Sequence, residues 1–287
     1  MIGLVLGGGG AKGAYQAGAW SALHEITAET HEGNAKHIYS AADRITGIIG
    51  ASVGALNAAL LATCPAQEVE EVWRNMTAMD FYAPESVSHL LLRTVLLNPI
   101  LNALLVLING LPFSQKGLEK ILDRHAKFWN QTRAVYAVCT PVKHPTTIRV
   151  FNLQEHPFEL RKQIVLASAA MPILYHGLIG KRVEGEYYYD GGLVPKYNVP
   201  TEQMQSLGYK RTVTVRCSRV PDIPAPTAEH IEIAPSSEKI GGFLDGTLRV
   251  DPEKIRSDIS LGYADTMALR PAIEAMLRAD LLDSAAG

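Results

Sequence analysis

Twice in its first 63 residues the chain breaks an apolar run on glycines and restarts as something helical. The two stretches are "MIGLVLGGGGAKGAYQAG" at 1–18 and "RITGIIGASVGALNAALLAT" at 44–63. Residues 2–6 and 44–50 read as short buried strands, and 13–26 and 51–63 as the helices that follow them. Two strand–turn–helix units in succession require a parallel sheet with helices over its faces. They also require bare backbone at both turns, where something must approach closer than a side chain allows.

The second turn, "GASVG" at 50–54, has the form G-x-S-x-G directly between strand and helix, the context a nucleophile elbow needs. Such a turn forces Ser52 into a crowded backbone conformation and projects its hydroxyl outward. Gly50 and Gly54 are then glycine because side chains there would collide. The helix N-terminus sets free N–H groups beside Ser52, where negative charge develops during acyl transfer.

The first turn, "GGGAKG" at 8–13, fits G-x-G-x-x-G and so also fits a dinucleotide-binding fingerprint. That reading needs an acidic residue about 20 positions on, at the end of the next strand. Glu29 and Glu32 fall near that spacing, but in "AETHEGN", read as a polar loop, whereas the next convincing strand ends at Ser52. In the other reading, N–H groups of the Gly8–Gly10 turn hold the oxyanion of an ester attacked by Ser52. Both chemistries use bare donors, and only the second uses the serine.

A serine hydroxyl is a weak nucleophile without a neighbouring base. Asp190 followed by His230 obeys the chain order of an α/β-hydrolase triad, yet His230 sits in the alternating "HIEIA" with no turn around it. "YYYDGG" at 187–192 puts Asp190 at a strand end followed by Gly191 and Gly192, which lets its carboxylate approach another loop. Asp-Gly is equally a hairpin turn.

These three motifs in this order, with "SAAMP" at 168–172, resemble the patatin-like phospholipase family over most of the chain. The resemblance implies a three-layer α/β/α sandwich with a central, mostly parallel sheet. It also implies a Ser–Asp dyad without histidine. Ser52 would attack a fatty-acyl ester of a phospholipid or related lipid, and Asp190 would take the proton. N–H groups around Gly8, Gly9, Gly10 and Ala11 would hold the oxyanion, and water would release the fatty acid, with no metal or cofactor. Lys12, where the family usually carries Arg or Lys, would orient the loop or attract an anionic head group, unless it is a solvated charge at the start of the helix that Gly13 opens. Two further readings stay open: a dinucleotide-binding protein, and a catalytically idle module that binds lipid.

Beyond the motifs, residues 134–142, 147–153, 211–217 and 230–234 read as strands, and a helix starts at Asp251 and is interrupted near Pro271. The stretch "VSHLLLRTVLLNPILNALLVLINGL" at 87–111 is apolar, but Arg93, Asn98, Pro99, Asn102 and Asn109 interrupt it well short of the roughly 20 apolar residues of a spanning helix. It is expected to form an apolar helical cap or interfacial segment near 86–111, with buried packing helices as the alternative. No repeat or linker divides the chain, so a single domain over 1–287 is expected.

Against 29 acidic residues stand 27 basic ones, which leaves no basic footprint for nucleic acid. Cys64, Cys139 and Cys217 lie outside any CxxC or Cys/His spacing, so buried reduced thiols are expected and no zinc site. The first residues lack the basic and apolar regions of a signal peptide. A cytoplasmic protein with peripheral membrane contact is therefore expected.

Overall fold

The computed structural model describes residues 1–32, 35–84, 113–126, 132–172, 174–175 and 179–286. The segment expected to form a cap near 86–111 lies outside them. In chain order the strands are β1 (Ile2–Leu6), β2 (Thr27–Glu32), β3 (Ala35–Ser40), β4 (Ile45–Ala51), β5 (Ala83–Pro84) and β6 (Phe113–Ser114). After them come β7 (Ala134–Pro141), β8 (Arg149–Asn152), β9 (Lys181–Val183), β10 (Glu186–Tyr189), β11 (Arg211–Val215) and β12 (His230–Ile233). The helices are α1 (Gly13–Glu25), α2 (Ala41–Arg44), α3 (Val53–Thr63), α4 (Ala66–Asn75), α5 (Ala78–Tyr82) and α6 (Lys116–His125). They continue as α7 (Phe158–Ser168), α8 (Thr201–Ser206), α9 (Pro252–Ala268) and α10 (Arg270–Ala286).

The main sheet runs β12-β11-β1-β4-β7-β10-β9, with β8 paired to β7. From β12 to β7 all neighbours are parallel; β8, β10 and β9 are antiparallel additions. Every residue of β1 is buried, as befits a strand covered on both faces. The carboxyl ends of the adjacent β1 and β4 carry the two glycine turns, so both turns open on one edge of the sheet. That edge is where open α/β sheets form their binding crevice.

Helix α1 is buried nearly all round because its side chains are mostly small. It crosses α9 at Gly18 and Gly262, where an added Cβ at either would lie 1.9 Å from a backbone oxygen of the other helix. Asp251 caps α9, accepting from the N–H of Lys254 at 2.9 Å, with Pro252 at the first helical position. The expected interruption falls at Leu269, and α10 restarts through Pro271.

One expectation is corrected. Glu29 and Glu32 do not lie in a loop: they belong to β2, which pairs antiparallel with β3 as a separate hairpin. The correction does not help the dinucleotide reading. The next main-sheet strand after β1 is β4, and it ends beside Ser52 rather than at a carboxylate. All three cysteines are free and buried, and among the described residues no helix is long and apolar enough to cross a membrane.

Candidate active site

Ser52 is the N-cap of α3, held at φ 56° and ψ −129°. A non-glycine residue in that region costs of order 1–3 kcal/mol and persists only where its surroundings enforce it. Here the enforcement is visible. A Cβ on Gly50 would meet the backbone oxygen of Gly54 at 2.1 Å, and one on Gly54 would meet that of Leu6 at 2.2 Å. The Ser52 N–H donates to Oγ of Ser168 at 3.0 Å, and that hydroxyl donates to the Val138 carbonyl at 2.6 Å. Ser168 thus pins the elbow to β7. The "SAAMP" stretch that begins at Ser168 gives no sign of this role in the sequence.

The antiparallel course of β10 brings Asp190 to the same place. Ala51 pairs with Val138 across β4 and β7, while Tyr189 pairs with Thr140 across β7 and β10. The residue after Tyr189 therefore arrives near the level of the elbow. The Gly191 N–H fixes it there by donating to the Ser168 carbonyl at 2.9 Å, and a Cβ on Gly191 would sit 2.0 Å from the Val138 oxygen. Ser52 Oγ donates to Asp190 Oδ2 at 2.7 Å, and the Gly192 N–H donates to Oδ1 at 2.7 Å. Both side chains are buried. Burial pushes the Asp190 carboxyl up to about 6, although the Ser52 hydroxyl and the Gly192 N–H both pull it down. Among the described residues no cation is paired with it.

The glycine turn lies alongside. The Gly8 N–H is spent on the Asn198 carbonyl at 3.0 Å, so Gly8 is corrected as a free donor. The N–H groups of Gly9 and Gly10 have no acceptor among the described residues. Gly10 itself sits at φ 56°, with the Thr247 backbone oxygen 2.4 Å from where a Cβ would be. A buried amide network holds the turn from behind. Gln16 Nε2 donates to the Gly7 carbonyl at 2.7 Å, and Asn57 Nδ2 donates to Gln16 Oε1 at 2.8 Å and to the Gly13 carbonyl at 2.9 Å. Trp73 Nε1 completes it by donating to Asn57 Oδ1 at 2.9 Å. No motif signalled Asn198, Gln16, Asn57 or Trp73.

Lys12 is not a solvated charge. It is 4% exposed, its Nζ donates to Ser218 Oγ at 3.2 Å, and desolvation lowers its pKa. Ala11 is buried in the same turn. His230 lies elsewhere, at the start of the edge strand β12 and three strands from β4. Its Nδ1 contacts Thr212 Oγ1 at 2.8 Å, and its Nε2 lies 3.7 Å from Glu232.

Two cavities meet at Ser52 and Asp190. One is walled chiefly by apolar side chains: Val53, Leu56, Phe81, Leu118, Leu174, Tyr175 and Leu248. The other is more open and is lined by Gly8, Gly9, Gly10, Lys12, Asn198, Ser218 and Phe243. The pair can seat a molecule with a greasy tail on one side of a reacting carbon and a polar group on the other.

A search of curated proteins finds no significant match to the sequence. Among solved structures, VipD from Legionella pneumophila superposes with a TM-score of 0.52 at 17% identity, over 94% of this chain and 67% of that one. Human GIVD cytosolic phospholipase A2, in complex with methyl gamma-linolenyl fluorophosphonate, gives 0.48 at 12% identity over 98% of this chain and 59% of that one. The type III effector ExoU of Pseudomonas aeruginosa gives 0.42 at 16% identity, over 95% and 53%. At 17% identity the likeness to VipD is one of fold, and this chain spans only about half to two thirds of each of these proteins. The model of the Patatin-like phospholipase family matches residues 4–204, a span that holds the glycine turn, Ser52 and Asp190. That is more than two thirds of the chain, and the chain therefore belongs to the patatin-like phospholipase family, a family of lipid acyl hydrolases.

Proposed function

We propose that this chain, acting as one catalytic domain, cleaves fatty-acyl ester bonds of phospholipids or related lipids through Ser52 and Asp190. The observation that carries the reading is the 2.7 Å hydrogen bond from a strained, buried serine to a carboxylate that has no cation beside it among the described residues. Ser52 Oγ attacks the ester carbonyl carbon as its proton passes to Asp190 Oδ2. The oxyanion forms against the N–H groups of Gly9 and Gly10, with Ala11 next in the turn, and such preplaced donors are usually the largest catalytic contribution. Collapse expels the alcohol, which takes the proton back from Asp190. Water, deprotonated by the same carboxylate, then releases the fatty acid. A carboxyl raised to about 6 is a stronger base than an ordinary aspartate and is still mostly ionised at neutral pH.

The acyl chain occupies the apolar cavity. The head group faces the open one, where Lys12 supplies positive charge. Peripheral contact with a bilayer is supported by Phe243 and Leu244, which are 57% and 76% exposed. They stand in a short π-helical turn, Phe243–Thr247, whose two ends line the cavity mouth. The triad reading has no support from His230, whose ring is engaged at the far edge of the sheet.

The test is turnover of phospholipid vesicles and of a soluble short-chain ester. Ser52→Ala and Asp190→Asn should each lose about 10⁴-fold or more in kcat, and His230→Ala should match the wild type. An Asp190→Asn enzyme of wild-type rate would overturn the assignment.

A further inference from the structure

Away from the Ser52 cavities, one group of side chains has the makings of a metal site. The Sγ of Cys64, a carboxylate oxygen of Glu68 and a ring nitrogen of His125 lie within 4.8 Å of one another. His125 Nδ1 is 2.7 Å from Glu68 Oε1, and the Cys64 thiol donates to the His125 carbonyl at 3.3 Å. We propose that these three residues bind one divalent transition-metal ion of borderline softness, zinc foremost, which clips together the far ends of the two helices that wall the apolar cavity.

Three observations point the same way. The donor set mixes thiolate, imidazole and carboxylate, which suits zinc and excludes the all-oxygen preference of calcium or magnesium. Cys64 is the C-cap of α3 and His125 is the last residue of α6, so two helix C-termini, the ends that favour cations, converge on the group. An open groove lined by Glu68, Glu71, Arg124 and His125 gives a fourth ligand, water, access from one side. Metal–ligand bonds of about 2.0–2.3 Å place tetrahedral ligand atoms roughly 3.3–3.8 Å apart. Closure therefore draws in any wider pair by at most about 1.5 Å and opens the 2.7 Å His125–Glu68 pair by about 0.6 Å, while binding drives the Cys64 proton into solvent.

The position explains what a clip would do. Helix α3 begins at Ser52 and places Val53 and Leu56 in the apolar cavity, and α6 contributes Leu118 to the opposite wall. A metal at their C-terminal ends fixes the separation of those walls without touching the dyad. Sequence spacing hid the site. Cys64 and Glu68 are four residues apart, but across a helix break at Pro65, and His125 follows 57 residues later.

The experiment titrates chelator-stripped, reduced protein with Co²⁺ and then Zn²⁺. The expected result is one Co²⁺ per chain with thiolate-to-cobalt charge-transfer absorption, displaced by Zn²⁺, and a higher melting temperature with Zn²⁺. Cys64→Ser should abolish the absorption and the thermal shift, and Cys139→Ser should keep both. His125→Ala should weaken binding by more than the roughly 10–100-fold that loss of an outer-shell partner costs. It serves also if Cys64→Ser does not fold. No stoichiometric Co²⁺ uptake, or an absorption band unchanged in Cys64→Ser or in His125→Ala, would overturn the proposal.

Discussion

Asp190 and Asp280 are both buried carboxylates, and their surroundings differ in one respect. Asp280, on α10, is fully buried and accepts from Arg44 Nη2 at 2.6 Å, Arg44 Nε at 2.9 Å and the Met1 amino group at 2.7 Å, with Arg211 at 3.7 Å. Burial pushes its pKa up, but hydrogen bonds and charge from the amino group and Arg44 outweigh that and hold it below the ordinary value. Among the described residues Asp190 receives a hydroxyl and an N–H and no cation, and burial prevails. A buried carboxylate matched by cations ties chain segments together. One left unmatched is held at a cost to stability and remains available to take a proton.

The pair of Asn substitutions tests this directly. Asp190→Asn should remove about four orders of magnitude of turnover and yet raise the melting temperature at pH 8. Its carboxyl titrates at about 6 in the folded state against an ordinary 3.8, so the folded state holds the proton more tightly than the unfolded one. That stabilisation is complete below pH 4 and lost as pH rises through 6, and the ionised group at pH 8 costs on the order of 3 kcal/mol. The gain from Asp190→Asn should therefore shrink towards pH 4. Asp280→Asn should do the reverse, costing about 2–3 kcal/mol at pH 8 by stranding Arg44 while leaving the rate per folded molecule unchanged. Thermal melts of both variants across pH decide the matter, and shifts of the same sign would break the contrast.

The acid limb of kcat/KM sharpens it. With Asp190 as base, the rate should fall about tenfold per pH unit below about 6. A limb near 4 would mean a solvated carboxylate. A limb near 7 that survives in Asp190→Asn would restore a histidine base.

Much of the candidate site stands out in the sequence because its demands are local. An elbow needs glycine two residues either side of the nucleophile, and an oxyanion turn needs bare backbone, so Gly8–Gly13 and Gly50–Gly54 stand out in the linear chain. Strands β1, β4, β7, β8, β11 and β12, the α9 cap at Asp251 and the break close to Pro271 follow from periodicity and capping chemistry in the same way. Long-range requirements were not legible. Ser168 acts on Ser52 from 116 positions away, Asn198 takes the Gly8 N–H, and the Trp73–Asn57–Gln16 chain supports the turn through ordinary helix interiors. Lys12 could be read as a functional or a solvated charge, and only its burial and its bond to Ser218 remove the solvated reading.

The smallest expected effect concerns the rim rather than the core. Leu244 is among the most exposed large apolar side chains described, and it sits beside the mouth of the cavity without lining it. Burying a leucine in lipid is worth about 1.5–3 kcal/mol when complete, and a side chain at a bilayer surface realises part of that. Leu244→Ser should therefore weaken vesicle co-sedimentation and turnover of vesicle substrate by about three- to tenfold. Turnover of a soluble short-chain ester should not change, because that substrate reaches Ser52 without a bilayer. A proportionate loss on both substrates would make Leu244 a packing residue, and no loss on either would remove the support it gives to a bilayer contact.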